Sequence, residues 1–435
     1  MLASHFFISL LATLVLIKSL CPIAVKIGLT DHPCHRKQHK VPTPLIGGLA
    51  IYLGIGVTLL LSEVHFPNQM AYLIASALLV GVGLVDDYKG LGVKIRIVAQ
   101  IVAALIMTEM ADIKIVSLGN LLFTGDIALG SLATPFTIFA VVGGINAFNM
   151  IDGLDGLAGT LALVSMAALA LVSWFAQDML LLDFCIIVMA AIMAFLAFNL
   201  RVMGRTSAGV FLGDTGSTLL GFTVCWLAIG ASQSESPLLA PVTVLWIIAI
   251  PLFDSVCIMI RRLGRRRSPF QPDREHLHHI MSLTGYSVNE VVAHLVSYGL
   301  VMAIIGIVAD LFFNIPNGMI LLFFLVLFIS HYWGMDHAWI FLKIRRYLLT
   351  RRQNPKQIVS RRAWQRRVNS NAVVDIEQRS MDRRQIIKGR RFVPTELQLD
   401  KFYRCEEDMD NPAYRKKLKN KIKVFWFNFY VDRKS

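Results

Sequence analysis

The chain has 435 residues, 55% hydrophobic and only 17% charged, with a mean hydropathy of +0.58. That composition excludes disorder, a coiled coil and a string of ordinary soluble domains. Six cysteines, at 21, 34, 185, 225, 257 and 405, show no CxxC or CxH spacing and so indicate neither a disulfide framework nor a zinc site. The charge is divided sharply: residues 1–341 hold 17 Lys+Arg against 19 Asp+Glu, while residues 342–435 hold 26 against 10.

Apolar runs of the length that crosses a hydrocarbon core of about 30 Å, roughly 17–25 residues, recur at about 5–25, 44–62, 70–85, 96–111, 134–149, 157–175, 180–199, 214–230, 238–260, 292–312 and 318–341. They predict an all-α polytopic integral membrane protein with about eleven transmembrane helices, because backbone in lipid must satisfy its own hydrogen bonds and barrel-type alternation is absent. No small-residue cleavage site follows the first run, so it reads as a retained span. The loops at 26–43, 86–96, 200–213 and 261–291 carry 4, 3, 2 and 6 Lys+Arg, whereas the opposite loops carry only Lys114. By the positive-inside rule these loops and the C-terminus are cytoplasmic. Two regions follow: a transmembrane domain, 1–341, and a basic cytoplasmic extension, 342–435, with no spanning run. Arg351-Arg352, Arg361-Arg362 and Arg366-Arg367 in the extension are expected to bind anionic headgroups, each base contributing about 1 kcal/mol near the surface. Basic charge beside a membrane needs no nucleic acid, and none is expected.

The unusual polar residues collect in the same loops. In the first, Lys37 and His39 would attract an anionic substrate, and Gly47-Gly48 permit close backbone contact; simple topology accounts for the bases equally well. In the second, Asp86-Asp87 repel each other unless a cation or shared proton relieves them. Mg²⁺ bound with substrate phosphates is one relief, and a solvated helix end beside Lys94 and Arg96 is the plain alternative. In the third, Asn146, Asn149, Asp152 and Asp155 follow a three-residue step that on a helix keeps them on one face. That stripe suits a hard cation or nucleotide donors, or merely helix capping.

The fourth loop carries Asn199, Arg201 and Arg205, then Asp214 at the start of the eighth run, where a carboxylate would also serve as a cap. In the fifth, an arginine run at 261–267 suits lipid anchoring. His276, His278 and His279 admit a zinc reading, yet no HExxH glutamate accompanies them; with Arg274 they better suit hydrogen bonds to phosphate or sugar. Inside or near the apolar runs the acids are few: Glu109, Asp183 and Asp254. A transporter is expected to hold its ionisable groups near the midplane, and a membrane scaffold needs none of these clusters. Acids for a metal, bases for phosphates and glycines for close approach at one face are the equipment of phosphoryl transfer.

Asp86-Asp87, the Asn146–Gly159 segment, Phe211–Ser217 and Pro272–His279 together resemble the polyprenyl-phosphate N-acetylhexosamine-1-phosphate transferases. Within them the histidine stretch and Arg36–His39 are most similar to the bacterial branch using UDP-N-acetylglucosamine (UDP-GlcNAc) and undecaprenyl phosphate. The resemblance implies transfer of GlcNAc-1-phosphate to the lipid with release of UMP, at the bacterial inner membrane, initiating a surface polysaccharide of the O-antigen or common-antigen type. Another UDP-N-acetylhexosamine or UDP-MurNAc-pentapeptide is the alternative donor.

By the same resemblance Asp214 and Asn149 would hold Mg²⁺, with Mn²⁺ as a substitute. Asp86 and Asp87 would orient the lipid phosphate or take its proton. Asp152 and Asp155 would line the nucleotide site, with Asp155 near the uracil, and Arg96 would lie near the pyrophosphate. Arg274, His276, His278 and His279 would hold the sugar and its phosphate. Lys37, His39, Gly47, Gly48 and Asn146 complete the substrate-binding set, and a homodimer is compatible with the family. The basic extension departs from the family, whose members typically stop soon after the last span.

Overall fold

The computed structural model describes residues 2–31, 42–63, 66–201, 205, 207–264, 276–283 and 285–337. Lys37, His39, Arg274 and the extension from 342 lie outside the described residues. The chain forms α1 (Leu2–Ile27), α2 (Gly47–Leu61), α3 (Gln69–Lys89), α4 (Val93–Met110), α5 (Ala133–Ile151), α6 (Leu157–Phe175) and α7 (Met179–Asn199). It continues through α8 (Gly213–Gln233), α9 (Pro241–Ile247), α10 (Ala249–Gly264), α11 (Leu277–Leu283), α12 (Val288–Ile307) and α13 (Asn317–Asp336). Strand among the described residues is confined to the antiparallel pair β1 (Thr30–Asp31) and β2 (Thr43–Pro44).

Each of the expected apolar runs falls on a helix or on the α9–α10 pair. Among the described residues eight helices are long and apolar enough to cross a membrane, or nine counting the bent pair as one span, against the eleven expected. Two runs fall short for different reasons. The 15 residues of α2 reach about 22 Å at 1.5 Å per residue. The 18 residues of α4 include Lys94, Arg96 and Glu109, and charge in hydrocarbon is costly.

The run at 238–260 breaks by 85° between α9 and α10. Pro251 explains the break: it has no N–H to give the Ile247 carbonyl, and its ring collides with that group. The carbonyl is instead taken by Ser165 Oγ of α6 at 3.2 Å, a hydroxyl shared with Leu161 O of its own helix at 3.1 Å. Ser165→Ala is therefore expected to leave a buried acceptor unpaired and cost about 1–2 kcal/mol, read as a lower Tm in detergent; an unchanged Tm would show that the bend does not depend on this tie.

Helix α8 is the enclosed element, with nearly all of its residues buried. Its Gly, Ser and Thr content lets neighbouring backbones approach, the common device for packing helices where no hydrophobic force separates protein from lipid. A Cβ at Gly48 of α2 would collide with the backbone of Gly216, and one at Gly83 of α3 with that of Thr215. Further along, the Tyr72 hydroxyl meets Thr223 Oγ1 at 2.8 Å. At the opposite end from the site, His5 Nδ1 lies 2.6 Å from Asp183 Oδ2 and His5 Nε2 lies 3.1 Å from Ser62 Oγ. Ser9 Oγ also donates to Ile187 O at 2.7 Å. These ties fasten α1 to α2 and α7.

Candidate active site

The polar loops meet where α3 and α5 end and α4 and α8 begin. Asp87, in the last turn of α3, caps α8 from outside. Its Oδ1 accepts from Asp214 N at 2.8 Å, and its Oδ2 accepts from Thr215 N at 3.1 Å and Thr215 Oγ1 at 2.7 Å. Two of the four orphan N–H groups that open a helix are thereby satisfied. Capping thus falls to Asp87, and the Asp214 side chain is released to face the cluster.

Asp214 Oδ1 accepts from Asn149 Nδ2 at 2.7 Å, and the same amide nitrogen reaches Ser217 Oγ at 2.9 Å. Asp214 Oδ2 lies 3.2 Å from Arg96 Nη1, which is also 3.2 Å from Asp86 Oδ2. One guanidinium thus bridges two carboxylates. Asp86 is buried; its Oδ1 accepts from Leu91 N just ahead of α4, while its Oδ2 has the Arg96 ion pair and no hydrogen bond. Asp86 and Asp214 therefore bring carboxylate oxygens from two helices to one guanidinium, and Asn149 from a third joins them through its amide nitrogen.

The stripe read from the third loop divides. Asn149 joins the cluster, whereas Asn146 turns to α4, donating to Gln100 Oε1 and to Val142 O, each at 2.8 Å. Asp155 Oδ2 accepts from Arg201 Nε at 2.7 Å and Ala208 N at 3.2 Å, so its carboxylate ties the third loop to the fourth. Asn199 reinforces that tie through Gly156 N and Val210 O.

Asp152 follows α5, where burial and then the charges of Asp214, Asp87 and Asp155 hold its carboxyl well above the usual carboxylate range. A carboxyl raised in this way keeps a proton that the unfolded chain has released, so the native state loses stability as pH rises towards and through the folded value. Asp152→Asn is expected to raise the Tm of metal-free protein at about pH 8, with the gain shrinking toward about pH 4. A Tm at or below wild type throughout that range would contradict the repulsion.

Gly47 and Gly48 serve packing: their N–H groups donate to Phe211 O at 3.0 Å and Leu212 O at 3.2 Å, and both residues are buried. The histidines form their own cluster. His276 Nδ1 is 2.7 Å from Asp254 Oδ2, and Leu277 N donates to Asp254 Oδ1 at 2.8 Å. The His278 ring lies against Gly153, so that a Cβ there would overlap it. Burial, with help from His279 and His276 and against Asp254, pushes His278 down to about 3, and the ring is neutral. The rings of His278 and His279 are 4.3 Å apart.

Sequence reasoning missed Gln100, the capping role of Asp87 and the pairing of Asp155 with Arg201, all of which depend on contacts between distant segments. Asp254 did leave a signal, as an acid within an apolar run.

The chain is also similar in sequence to known proteins. Residues 69–232 match the family described as Glycosyl transferase family 4. The undecaprenyl-phosphate alpha-N-acetylglucosaminyl 1-phosphate transferase of Salmonella typhimurium is 39% identical over 336 residues, 76% of this chain and 91% of the relative. Its namesake in Escherichia coli K12 is 38% identical over 326 residues, 75% and 88% of the two chains. That of Haemophilus influenzae is 33% identical over 352 residues, 81% and 98%.

Proposed function

The chain belongs to glycosyl transferase family 4, and on that footing we propose that it transfers GlcNAc-1-phosphate from UDP-GlcNAc to undecaprenyl phosphate, releasing UMP. An oxygen of the lipid phosphate attacks the β-phosphorus of the sugar nucleotide, the bond to the α-phosphate oxygen breaks, and GlcNAc-pyrophosphoryl-undecaprenol remains. The observation that carries the reading is the convergence of Asp86 and Asp214 on Arg96, with Asn149 hydrogen-bonded to Asp214, where the motif-bearing loops meet. The loop charges favour a cytoplasmic site, at the bacterial inner membrane.

A divalent cation fits this cluster. The Asp86 Oδ2 atom is buried with no hydrogen bond, Asp214 offers a second carboxylate, and turning the Asn149 amide about χ2 exchanges its Nδ2 for Oδ1. An all-oxygen set of this kind suits Mg²⁺, or Mn²⁺ in its place. When bound, the cation would neutralise pyrophosphate oxygens as charge develops on the departing UMP. Asp214 and Asn149 are the assigned ligands. Arg96, released from its carboxylates, turns its guanidinium to the pyrophosphate, where a bidentate fork is well matched.

The lipid phosphate requires little activation. A phosphate monoester has a second pKa near 6 and is mostly dianionic at neutral pH, so a base has few protons to remove. We assign the orientation of that phosphate to Asp86, since both oxygens of Asp87 already hold α8. Direct displacement is favoured over an aspartyl-phosphate, and trapping a labelled phospho-enzyme from UDP-GlcNAc alone would overturn that preference.

The deciding assay uses purified protein in detergent with undecaprenyl phosphate, Mg²⁺ and UDP-GlcNAc. Metal- and lipid-dependent UMP with a GlcNAc-pyrophosphoryl lipid is the expected result. Turnover only with another UDP-sugar would keep the mechanism and change the donor, and silence with every donor from folded protein would refute the reading.

A further inference from the structure

The cluster around Asp254 has a different chemistry from the oxygen-lined one. Asp254 is fully buried on α10, and His278, on α11, is only 1% exposed. Both ring nitrogens of His278 lack any hydrogen-bond partner. Two bare nitrogens on a buried imidazole are costly and rare in native proteins. Beside them, Asp254, His276 and His278 each offer a ligand atom, all mutually within 4.8 Å, and the His276 and His278 rings are stacked at 5.4 Å. A tetrahedral ion with bonds of about 2.1 Å holds its donors about 3.4 Å apart. Donors as far apart as 4.8 Å would close by about 1.4 Å around such an ion, while Asp254 Oδ2 and His276 Nδ1 part from 2.7 Å.

We propose that Asp254, His276 and His278 bind a borderline divalent cation of the zinc class, at a site separate from the Mg²⁺-type cluster. Two imidazole nitrogens and one carboxylate oxygen form a three-ligand set with an open position, typical of zinc and unlike the all-oxygen sets of magnesium. Asp254 supplies the ligand absent from the histidine motif itself, 22 residues upstream on another helix. The ion clamps α11 to α10. Because the His278 ring lies against Gly153, the clamp also fixes the segment after α5 that carries Asp152. The proposal goes beyond the transferase reading, and its readout is bound metal rather than UMP, so either can fail without the other.

The test uses the full chain purified in detergent, stripped with a chelator, re-equilibrated with Zn²⁺ in excess Mg²⁺, desalted and measured by elemental analysis. One zinc per chain is expected in the wild type. His278→Ala is expected to bind at least tenfold more weakly, while His278→Cys, which keeps a zinc ligand, retains the metal. Should His278→Ala not fold, zinc-edge X-ray absorption of the wild type decides: two imidazoles with oxygen support the site, and an oxygen-only shell refutes it. Folded wild type without zinc, equal zinc in His278→Ala, or zinc lost from Asp214→Ala instead would each overturn the proposal.

Discussion

Asp214→Asn is expected to lower kcat/KM for transfer by about 10³-fold or more while leaving the Tm within about a degree of wild type. The magnitude follows from loss of an assigned ligand of the cation that would stabilise the negative charge developing on UMP, an effect of several kcal/mol. The unchanged Tm follows from geometry. Asp214 stands in the first turn of α8, where a carboxylate ordinarily caps the helix, but the cap comes from Asp87 on α3 through three hydrogen bonds. Asp87→Ala should therefore behave differently, losing activity together with about 0.5–2 kcal/mol of stability, the usual loss for a cap. Arg96 keeps Asp86 as an ion-pair partner when Asp214 is neutralised, which limits secondary damage. Thermal unfolding and UMP release measured on the two variants side by side separate the roles. An Asp214→Asn protein that loses stability like Asp87→Ala would return Asp214 to a structural part, and one that keeps activity would remove it from the reaction.

The same pair shows what could be read in the sequence. The eleven apolar runs were visible because each is a predominantly hydrophobic segment, and each falls on a helix or on the α9–α10 pair. The inner division of the run at 238–260 follows from Pro251, whose effect on the Ile247 carbonyl is local. By contrast, two adjacent carboxylates in Asp86-Asp87 look alike in sequence, and their roles separate only when α8 arrives beside α3. Gly83 permits that approach at Thr215, yet nothing near Gly83 in the chain names its neighbour. The three-residue step of Asn146, Asn149, Asp152 and Asp155 misled for a related reason. It assumes one continuous helix, but α5 ends at Ile151 and the turn through Gly153 and Gly156 sends Asp155 towards Arg201.

That turn sets the second large effect. Asp155→Ala is expected to reduce turnover about 10²-fold by releasing the third loop from the fourth, and Arg201→Ala should reproduce the loss. The pair is mostly shielded, with side chains 12% and 18% exposed for Asp155 and Arg201. Removing either partner strands the other with its charge poorly solvated. Arg201 is itself held from α12, where Asn289 Nδ2 donates to its carbonyl at 2.7 Å, so the tie runs from the Asp152 segment across to the last helices. If the pair acts as a unit, the double variant should be little worse than either single one, because coupled residues are not additive. A carboxylate that instead read the uracil of the nucleotide would give another pattern. Arg201→Ala would stay near wild type, and the loss in Asp155→Ala would fall on the KM for the sugar nucleotide. A double-mutant cycle on kcat and KM therefore decides whether Asp155 touches substrate or builds the wall that does.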